Sequence, residues 1–120
     1  MPFRFEGLEI WQIAKDYAMK VYTATAKFPR HEDCGLKSQM NRSVNSISLN
    51  IAEGSAKGTN KSFGYHLEVA VGSTFEGVAA SALAMQQAYI SAEEHKTLYE
   101  EGQRLAKSIN AFRSTLNSDS

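Results

Sequence analysis

One stretch near the middle of the chain decides the fold: Leu36-Lys-Ser-Gln-Met-Asn-Arg-Ser-Val-Asn-Ser-Ile-Ser-Leu-Asn-Ile-Ala-Glu-Gly-Ser55. Its apolar residues recur every three or four positions, which is the spacing of one face of an α-helix. They are Leu36, Met40, Val44, Ile47 and Ile51. A polar row runs beside them at similar spacing and comprises Gln39, Arg42, Ser43, Ser46, Asn50 and Glu53. A helix of a simple bundle needs only the apolar row, so the polar row requires its own explanation.

The composition is that of an ordinary globular protein. The 120 residues are 42% hydrophobic and 22% charged, and this length fits one domain. The 13 cationic and 13 anionic side chains balance, so no global field attracts nucleic acid or anionic lipid. The single cysteine cannot form an intrachain disulfide, and no signal peptide or apolar run long enough to span a bilayer is apparent. We therefore predict a cytoplasmic protein with no membrane partner.

Three more helices are predicted around the central one. The four helices are expected at about residues 8–27, 34–55, 61–89 and 92–116. The first ends ahead of Pro29, because the residue before proline avoids helical backbone. Thr59 or Asn60 caps the third helix, and Ser91 with Glu94 forms a capping box that begins the fourth. Short connections then predict an all-α, antiparallel up-down-up-down four-helix bundle in one domain, residues 1–120.

The third predicted helix is unusually rich in small residues. Its interior glycines, Gly64, Gly72 and Gly77, each cost about 1 kcal/mol relative to alanine. Close approach of a neighbouring backbone would offset that cost. The apolar face expected for this helix consists of Phe63, Leu67, Val71, Thr74, Val78 and Met85.

A family resemblance rests on a run of motifs through the second and third helices. They are Phe28-Pro29, Gly35-Leu36, Gln39, Arg42-Ser43, Ser46-Ile47, Asn50-Ile-Ala-Glu-Gly54, Phe63, Leu67, Ala70, Gly72-Ser73 and Glu76. This pattern closely resembles the small four-helix-bundle proteins encoded in intervening sequences of bacterial 23S rRNA genes, and it extends from about Leu8 to the start of the fourth helix. The resemblance implies an antiparallel four-helix bundle that assembles as a ring-shaped homopentamer and has no enzymatic activity.

The resemblance also implies kinship with the accessory protein of diversity-generating retroelements, a pentameric bundle that works with reverse transcriptase and RNA. That protein is strongly basic, whereas the net charge of this chain is zero. The kinship favours a scaffold that contacts structured RNA or a ribonucleoprotein. The neutral charge favours a protein–protein assembly module without a nucleic-acid partner, and both interpretations stay open here.

The polar row of the second helix has a structural and a functional interpretation. In the first, it hydrogen-bonds to polar groups of the third helix or to an adjacent subunit, because buried polar groups must be paired. In the second, it lines a groove for a ligand or for catalysis. The small residues of the third helix favour the first interpretation. The packing and assembly set is then Gln39, Arg42, Ser43, Ser46, Asn50, Glu53, Ser73 and Glu76.

Four cationic residues form a second candidate site. An antiparallel bundle gathers Arg4, Lys57, Lys61 and Arg113 at the end that carries the turn between the second and third helices. The N-terminus of the third helix adds free N–H donors and the positive end of its dipole. These cations are candidates for contact with RNA or another anion, the alternative being an ordinary solvated surface.

Motifs for enzymatic chemistry are not found. The segment Gly54-Ser-Ala-Lys-Gly58-Thr-Asn-Lys61 lacks the spacing of a phosphate-binding loop. No histidine completes the Glu-x-x-His pair of di-iron bundles, and the His31–Cys34 connection has no second half-site for zinc. We therefore expect no metal, no cofactor and no catalytic residues.

Overall fold

A computed structural model describes residues 3–116, and its regular structure is helical. The four α-helices are α1 (Glu9–Thr25), α2 (Leu36–Ser55), α3 (Asn60–Gln86) and α4 (Ala92–Arg113). Short 3-10 segments precede α1 and α2, at Arg4–Gly7 and Arg30–Glu32. The all-α, four-helix prediction is confirmed. The tail that the sequence predicts to fray, residues 117–120, lies outside the described residues.

Hydrogen bonds between α1 and α2 show that the two helices run antiparallel. The hydroxyl of Tyr22 donates to Asn45 Oδ1 at 2.6 Å, and the hydroxyl of Thr25 donates to Asn41 Oδ1 at 2.8 Å. Residue numbers thus rise along α1 as they fall along α2. Helix α1 also contacts α4, and α3 contacts both α2 and α4, so the four helices close into a square bundle.

Helix α3 ends at Gln86, three residues before the predicted end at residue 89. The chain turns into the left-handed region at Ala88, where φ is 63°. The N–H of Tyr89 then bonds to the carbonyl of Ala84 at 2.9 Å. This pairing satisfies a carbonyl at the helix end, and the chain leaves the helix there.

The other helix ends also differ slightly from the predicted ones. Helices α1 and α4 stop at Thr25 and Arg113, before the predicted residues 27 and 116. From Lys27 and from Thr115 onward, the N–H groups bond to carbonyls three residues back rather than four, which is the tighter 3-10 pattern. Helix α2 begins at Leu36 rather than at residue 34, because the Glu32 carboxylate accepts the Leu36 N–H at 2.8 Å.

The sequence predicts the N-terminal caps of α3 and α4 that the structure contains. The hydroxyl of Thr59 accepts the N–H of Ser62 at 3.1 Å, so Thr59 rather than Asn60 caps α3. Ser91 and Glu94 form the reciprocal capping box at the start of α4. Local sequence therefore sets where both helices begin.

The apolar row of α2 lies at the centre of the core. Met40, Val44, Ile47 and Ile51 are fully buried, and Leu36 packs half-buried at the edge. Fully burying one such side chain stabilises the fold by about 1.5–3 kcal/mol. The row that decides the fold therefore supplies much of the hydrophobic driving force for folding.

The buried face of α3 agrees with the predicted one at Phe63, Leu67 and Thr74 and differs from it elsewhere. Val71, Val78 and Met85 are only half-buried, because α3 packs between α2 and α4 and turns several of its small side chains into the core. The fully buried small residues of α3 are Ala70, Thr74, Gly77, Ala80, Ser81 and Ala84. A Cβ added at Gly77 would lie 3.2 Å from the hydroxyl of Ser43 on α2. Gly77 therefore permits a close helix approach, whereas the expectation is wrong for Gly72, where a Cβ would meet nothing within 4 Å, and for Gly64, where it would meet only the Arg113 side chain at 3.7 Å.

Tyr17 of α1 is a core residue. Its side chain is buried, and burial, aided by the nearby Glu101 carboxylate, raises the pKa of Tyr17 to about 12. Its hydroxyl has no hydrogen-bond partner among residues 3–116. The ring therefore fills space between α1 and α4, next to Gly102.

Helix α3 has the length and apolar composition to cross a bilayer, and in the described part of the chain it is the one helix that does. Its most apolar window has a mean hydropathy of 1.2, and 39% of that window is buried. In this structure α3 packs against α2 and α4, as a core helix of a bundle does.

Candidate functional site

A polar groove lies between α2 and α3, close to the start of α2. It encloses about 500 Å³. Its walls are formed by Cys34, Gly35, Ser38, Gln39, Arg42, Ser43, Ser46, Ser73 and Glu76. The groove thus brings together six of the eight residues that the sequence assigns to the packing and assembly set. The other two, Asn50 and Glu53, lie further along α2.

A chain of hydrogen bonds joins α2 to α3 beside the floor of the groove. The ring Nδ1 of His66 lies 3.0 Å from Asn50 Oδ1. The amide of Asn50 donates to the carbonyl and the hydroxyl of Ser46, at 2.8 and 3.0 Å. The hydroxyl of Ser73 also donates to the Ser46 hydroxyl, at 2.8 Å. Part of the polar row of α2 therefore fixes the register between α2 and α3. His66 belongs to the same hydrogen-bond chain, although the sequence pattern does not identify it.

Two members of the predicted set make contacts other than the expected ones. The Ser43 hydroxyl donates to the carbonyl of Met40 on its own helix at 2.7 Å. The carboxylate of Glu53 is 3.8 Å from the ammonium of Lys57, one turn away, and faces solvent. Neither side chain bonds to Ser73 or Glu76, because Ser43 points into the core and Glu53 points outward into solvent.

Glu32 fixes the chain beside the mouth of the polar groove. Its carboxylate accepts the Leu36 N–H at 2.8 Å and the hydroxyl of Tyr89 at 2.9 Å. These two hydrogen bonds, the first being the stronger cause, hold the pKa of the Glu32 carboxyl below its usual value. The same carboxylate raises the pKa of Tyr89. The start of α2 is thus tied to the connection between α3 and α4.

An apolar groove of about 560 Å³ lies between α3 and α4. It is lined by Thr74, Phe75, Val78, Ala79, Ala82, His95, Tyr99, Gly102, Gln103, Ala106, Lys107 and Asn110. Two aromatic side chains flank it and are largely exposed, Phe75 by 67% and Tyr99 by 48%. Small residues form its base, so a side chain from another molecule could insert between the two rings.

The sequence pattern does not predict this apolar groove. Phe75 stands off the apolar row that the sequence predicts for α3. The feature of the sequence that could have indicated the groove is Phe75, a large aromatic residue at an outward position of a helix otherwise rich in alanine and glycine. Such a residue indicates a contact site when it borders a larger apolar surface.

The four candidate cations lie at one end of the bundle, but most of them already have partners. The guanidinium of Arg4 lies 5.0 Å from the centre of the Phe63 ring. Arg113 pairs with Glu68 at 3.6 Å, and Lys57 pairs with Glu53 as described above. Lys61 is exposed at the start of α3. Acidic neighbours therefore reduce the positive charge that this end presents.

Among residues 3–116, no group of three or more His, Cys, Asp or Glu side chains could hold a metal ion. His95 instead bonds through Nδ1 to the hydroxyl of Ser81 at 2.8 Å. This bond joins α4 to α3 at the rim of the apolar groove.

Comparison with known proteins identifies the family. A model of the 23S rRNA-intervening sequence protein family matches residues 6–111. The chain belongs to this family. The fold is similar to that of a crystal structure of a protein of unknown function from the S23 ribosomal protein family of Bacteroides thetaiotaomicron VPI-5482. The two chains share 18% identity with a TM-score of 0.77, over 87% of this chain and 97% of the other. No curated protein matches this chain.

Proposed function

We propose that this protein is a non-enzymatic, cytoplasmic scaffold that works as a homo-oligomer, with the apolar groove between α3 and α4 as its assembly surface. The observation that carries the proposal is the pair of exposed aromatic rings, Phe75 and Tyr99, beside a groove with a small-residue base. Aromatic side chains are enriched in the centres of protein interfaces, where charged side chains are depleted. This surface matches that composition.

A ring of identical subunits requires two different complementary faces on each subunit. In a square bundle the outer side of α1 and α2 lies opposite the outer side of α3 and α4. The largest exposed apolar side chains of α1 and α2 are Met19, exposed by 60%, and Leu49, exposed by 65%. These two side chains are suited to enter the apolar groove of the next subunit, and a pentameric ring would repeat this contact five times.

The titratable groups with displaced pKa values support a role without catalysis. Hydrogen bonds that cap helices or link them lower the pKa of Glu32 and of Glu94, the latter mainly through Lys27. Burial raises that of Tyr17. Each shift thus has a structural cause within the bundle.

The substitution Phe75→Asp tests the assembly surface. A charge at the centre of an apolar contact opposes burial, so we expect the variant to elute as a monomer where the wild type elutes as an oligomer. The matched control is Tyr65→Asp, which introduces the same charge at a similarly exposed aromatic position of α3 outside the groove. The control should keep the wild-type elution volume. Equal elution of Phe75→Asp and wild type would contradict the assigned surface.

Contact with structured RNA is the second candidate function, favoured by the gathering of Arg4, Lys57, Lys61 and Arg113 at one end of the bundle. Binding across a salt series tests it, because phosphate contacts release counterions. Lys57→Ala/Lys61→Ala should reduce the salt slope by about two if both side chains contact phosphate. A matched double variant at the other end of the bundle, Arg30→Ala/Lys96→Ala, should leave the slope unchanged. Absence of binding at low salt would leave the scaffold without an RNA partner.

A further inference from the structure

The polar groove between α2 and α3 carries charges of opposite sign that do not pair with each other. Arg42 belongs to its α2 wall and Glu76 to its α3 wall. Ser43, next to Arg42, approaches within 3.2 Å of the position where Gly77, next to Glu76, would carry a Cβ. The two charged residues therefore face the groove at the same level of the bundle. No ion pair within 4.0 Å joins them in the described structure.

Other polar side chains of the groove also lack partners. Among residues 3–116, no side-chain hydrogen bond is formed by Ser38 or Gln39, or by Arg42 or Glu76. In contrast, the side chains that form the floor are satisfied by the bonds from Asn50 and Ser73 to Ser46. The floor is therefore rigid and paired, while the rim presents a cation, an anion, an amide and a hydroxyl without protein partners.

We propose that this groove binds a small zwitterion of the peptide type, a free amino acid or dipeptide. The guanidinium of Arg42 is suited to a carboxylate, which it can hold through two parallel hydrogen bonds. The carboxylate of Glu76 is suited to an ammonium group. Gln39 and Ser38 supply donors and acceptors for the amide between them. One ligand that carries both charges satisfies both walls at once, and the volume lies within the usual range of small-molecule sites, about 300–1,000 Å³.

The composition of the groove favours a small polar ligand over a second copy of the chain. No aromatic or large aliphatic residue lines this groove, whereas interface centres are rich in such residues and poor in charge. The aromatic surface of the protein lies at a different groove, between α3 and α4. The proposal is therefore independent of the proposed assembly.

Ligand-observed saturation-transfer NMR with L-alanyl-L-alanine tests the site on the full chain. We expect saturable binding at millimolar concentration. N-acetyl-L-alanyl-L-alanine lacks the ammonium and L-alanyl-L-alaninamide lacks the carboxylate, and each should bind about tenfold more weakly or worse, since hydrogen bonds to charged groups contribute this much. No saturation transfer from the protein to the free dipeptide would overturn the proposal.

Two variants that each remove one charge show which wall of the groove holds which end of the ligand. Arg42→Gln should bind the dipeptide about tenfold more weakly and no longer distinguish it from the C-terminal amide. Glu76→Gln should similarly lose discrimination against the N-acetyl form only. Both residues are exposed, so the thermal unfolding of the variants should match that of the wild type. Discrimination that persists in both variants would overturn the assignment.

A further comparison separates this site from the assembly surface. The Phe75→Asp variant should bind L-alanyl-L-alanine as the wild type does, because its substitution lies outside the polar groove. If Arg42→Gln or Glu76→Gln instead dissociates an oligomer and the dipeptide does not bind, a second copy covers the groove and the ligand proposal is wrong.

Discussion

Replacing Phe63 by alanine should lower the free energy of unfolding by about 3–5 kcal/mol, the usual loss when a buried phenylalanine is truncated. The Phe63 ring is 1% exposed and lies near the start of α3. It packs edge-to-face against Phe112 of α4, with ring centres 5.6 Å apart, and lies beside Gly54 of α2. Arg4 covers its other side. Truncation would therefore leave a cavity where three helices meet.

Urea denaturation at one fixed protein concentration measures this loss. The matched control is Tyr65→Ala, two residues further along α3, where the ring is 62% exposed. Substitution of a surface residue usually changes stability by no more than about 0.5 kcal/mol. Similar midpoints for Phe63→Ala and Tyr65→Ala would show that the core is not organised around Phe63.

Gly102→Ala should also destabilise the bundle, although alanine is the better helix former. A Cβ at Gly102 would lie 2.5 Å from Val78 Cγ2 and 3.0 Å from the hydroxyl of Tyr17. Both neighbours are held in place, one by its branched side chain and the other by burial. Overpacking of this kind costs about 1–3 kcal/mol, which exceeds the gain in helix propensity of about 1 kcal/mol.

Gly72→Ala is the matched control for Gly102→Ala. Gly72 lies inside α3, and a Cβ there would meet nothing within 4 Å. The same substitution should therefore stabilise the protein by up to about 1 kcal/mol through helix propensity alone. Urea denaturation of both variants, at equal concentration, should give changes of opposite sign. A stabilised Gly102→Ala variant would contradict the close packing of α1, α3 and α4.

Helix number, capping and the α2 core could be predicted because each depends on local sequence. The spacing of Met40, Val44 and Ile47 identifies a face that is fully buried. Ser91 and Glu94 form the predicted capping box because its geometry involves only residues three positions apart. Such features need no knowledge of the rest of the fold.

The buried face of α3 and the positions of the two grooves depend on packing between helices. Val78 belongs to the predicted apolar row of α3 but is half-buried, because the helix turns several of its small residues into the core instead. The rotation of one helix about its axis relative to its neighbour depends on the side-chain sizes of both helices. The residue pattern of a single helix therefore does not determine it. The place of His66 in the hydrogen-bonded row is likewise not visible in the sequence, because its partner Asn50 lies on another helix.

The hydrogen bonding of the polar row depends both on local sequence and on the packing between helices. Ser46 and Ser73 meet across the α2–α3 seam, where the polar row predicts contacts with polar groups of the third helix. Arg42 and Glu76 line a groove instead of pairing with each other. A charged residue on a helical pattern can face a partner or solvent, and only the register of the two helices decides between them.

The mass of the wild-type protein in solution tests the central claim, homo-oligomeric assembly, most directly. Static light scattering at micromolar concentration should give about five times the chain mass of 13.2 kDa, as expected for a ring whose subunits join through the α3–α4 groove. A monodisperse particle of 13.2 kDa under the same conditions would contradict the scaffold proposal.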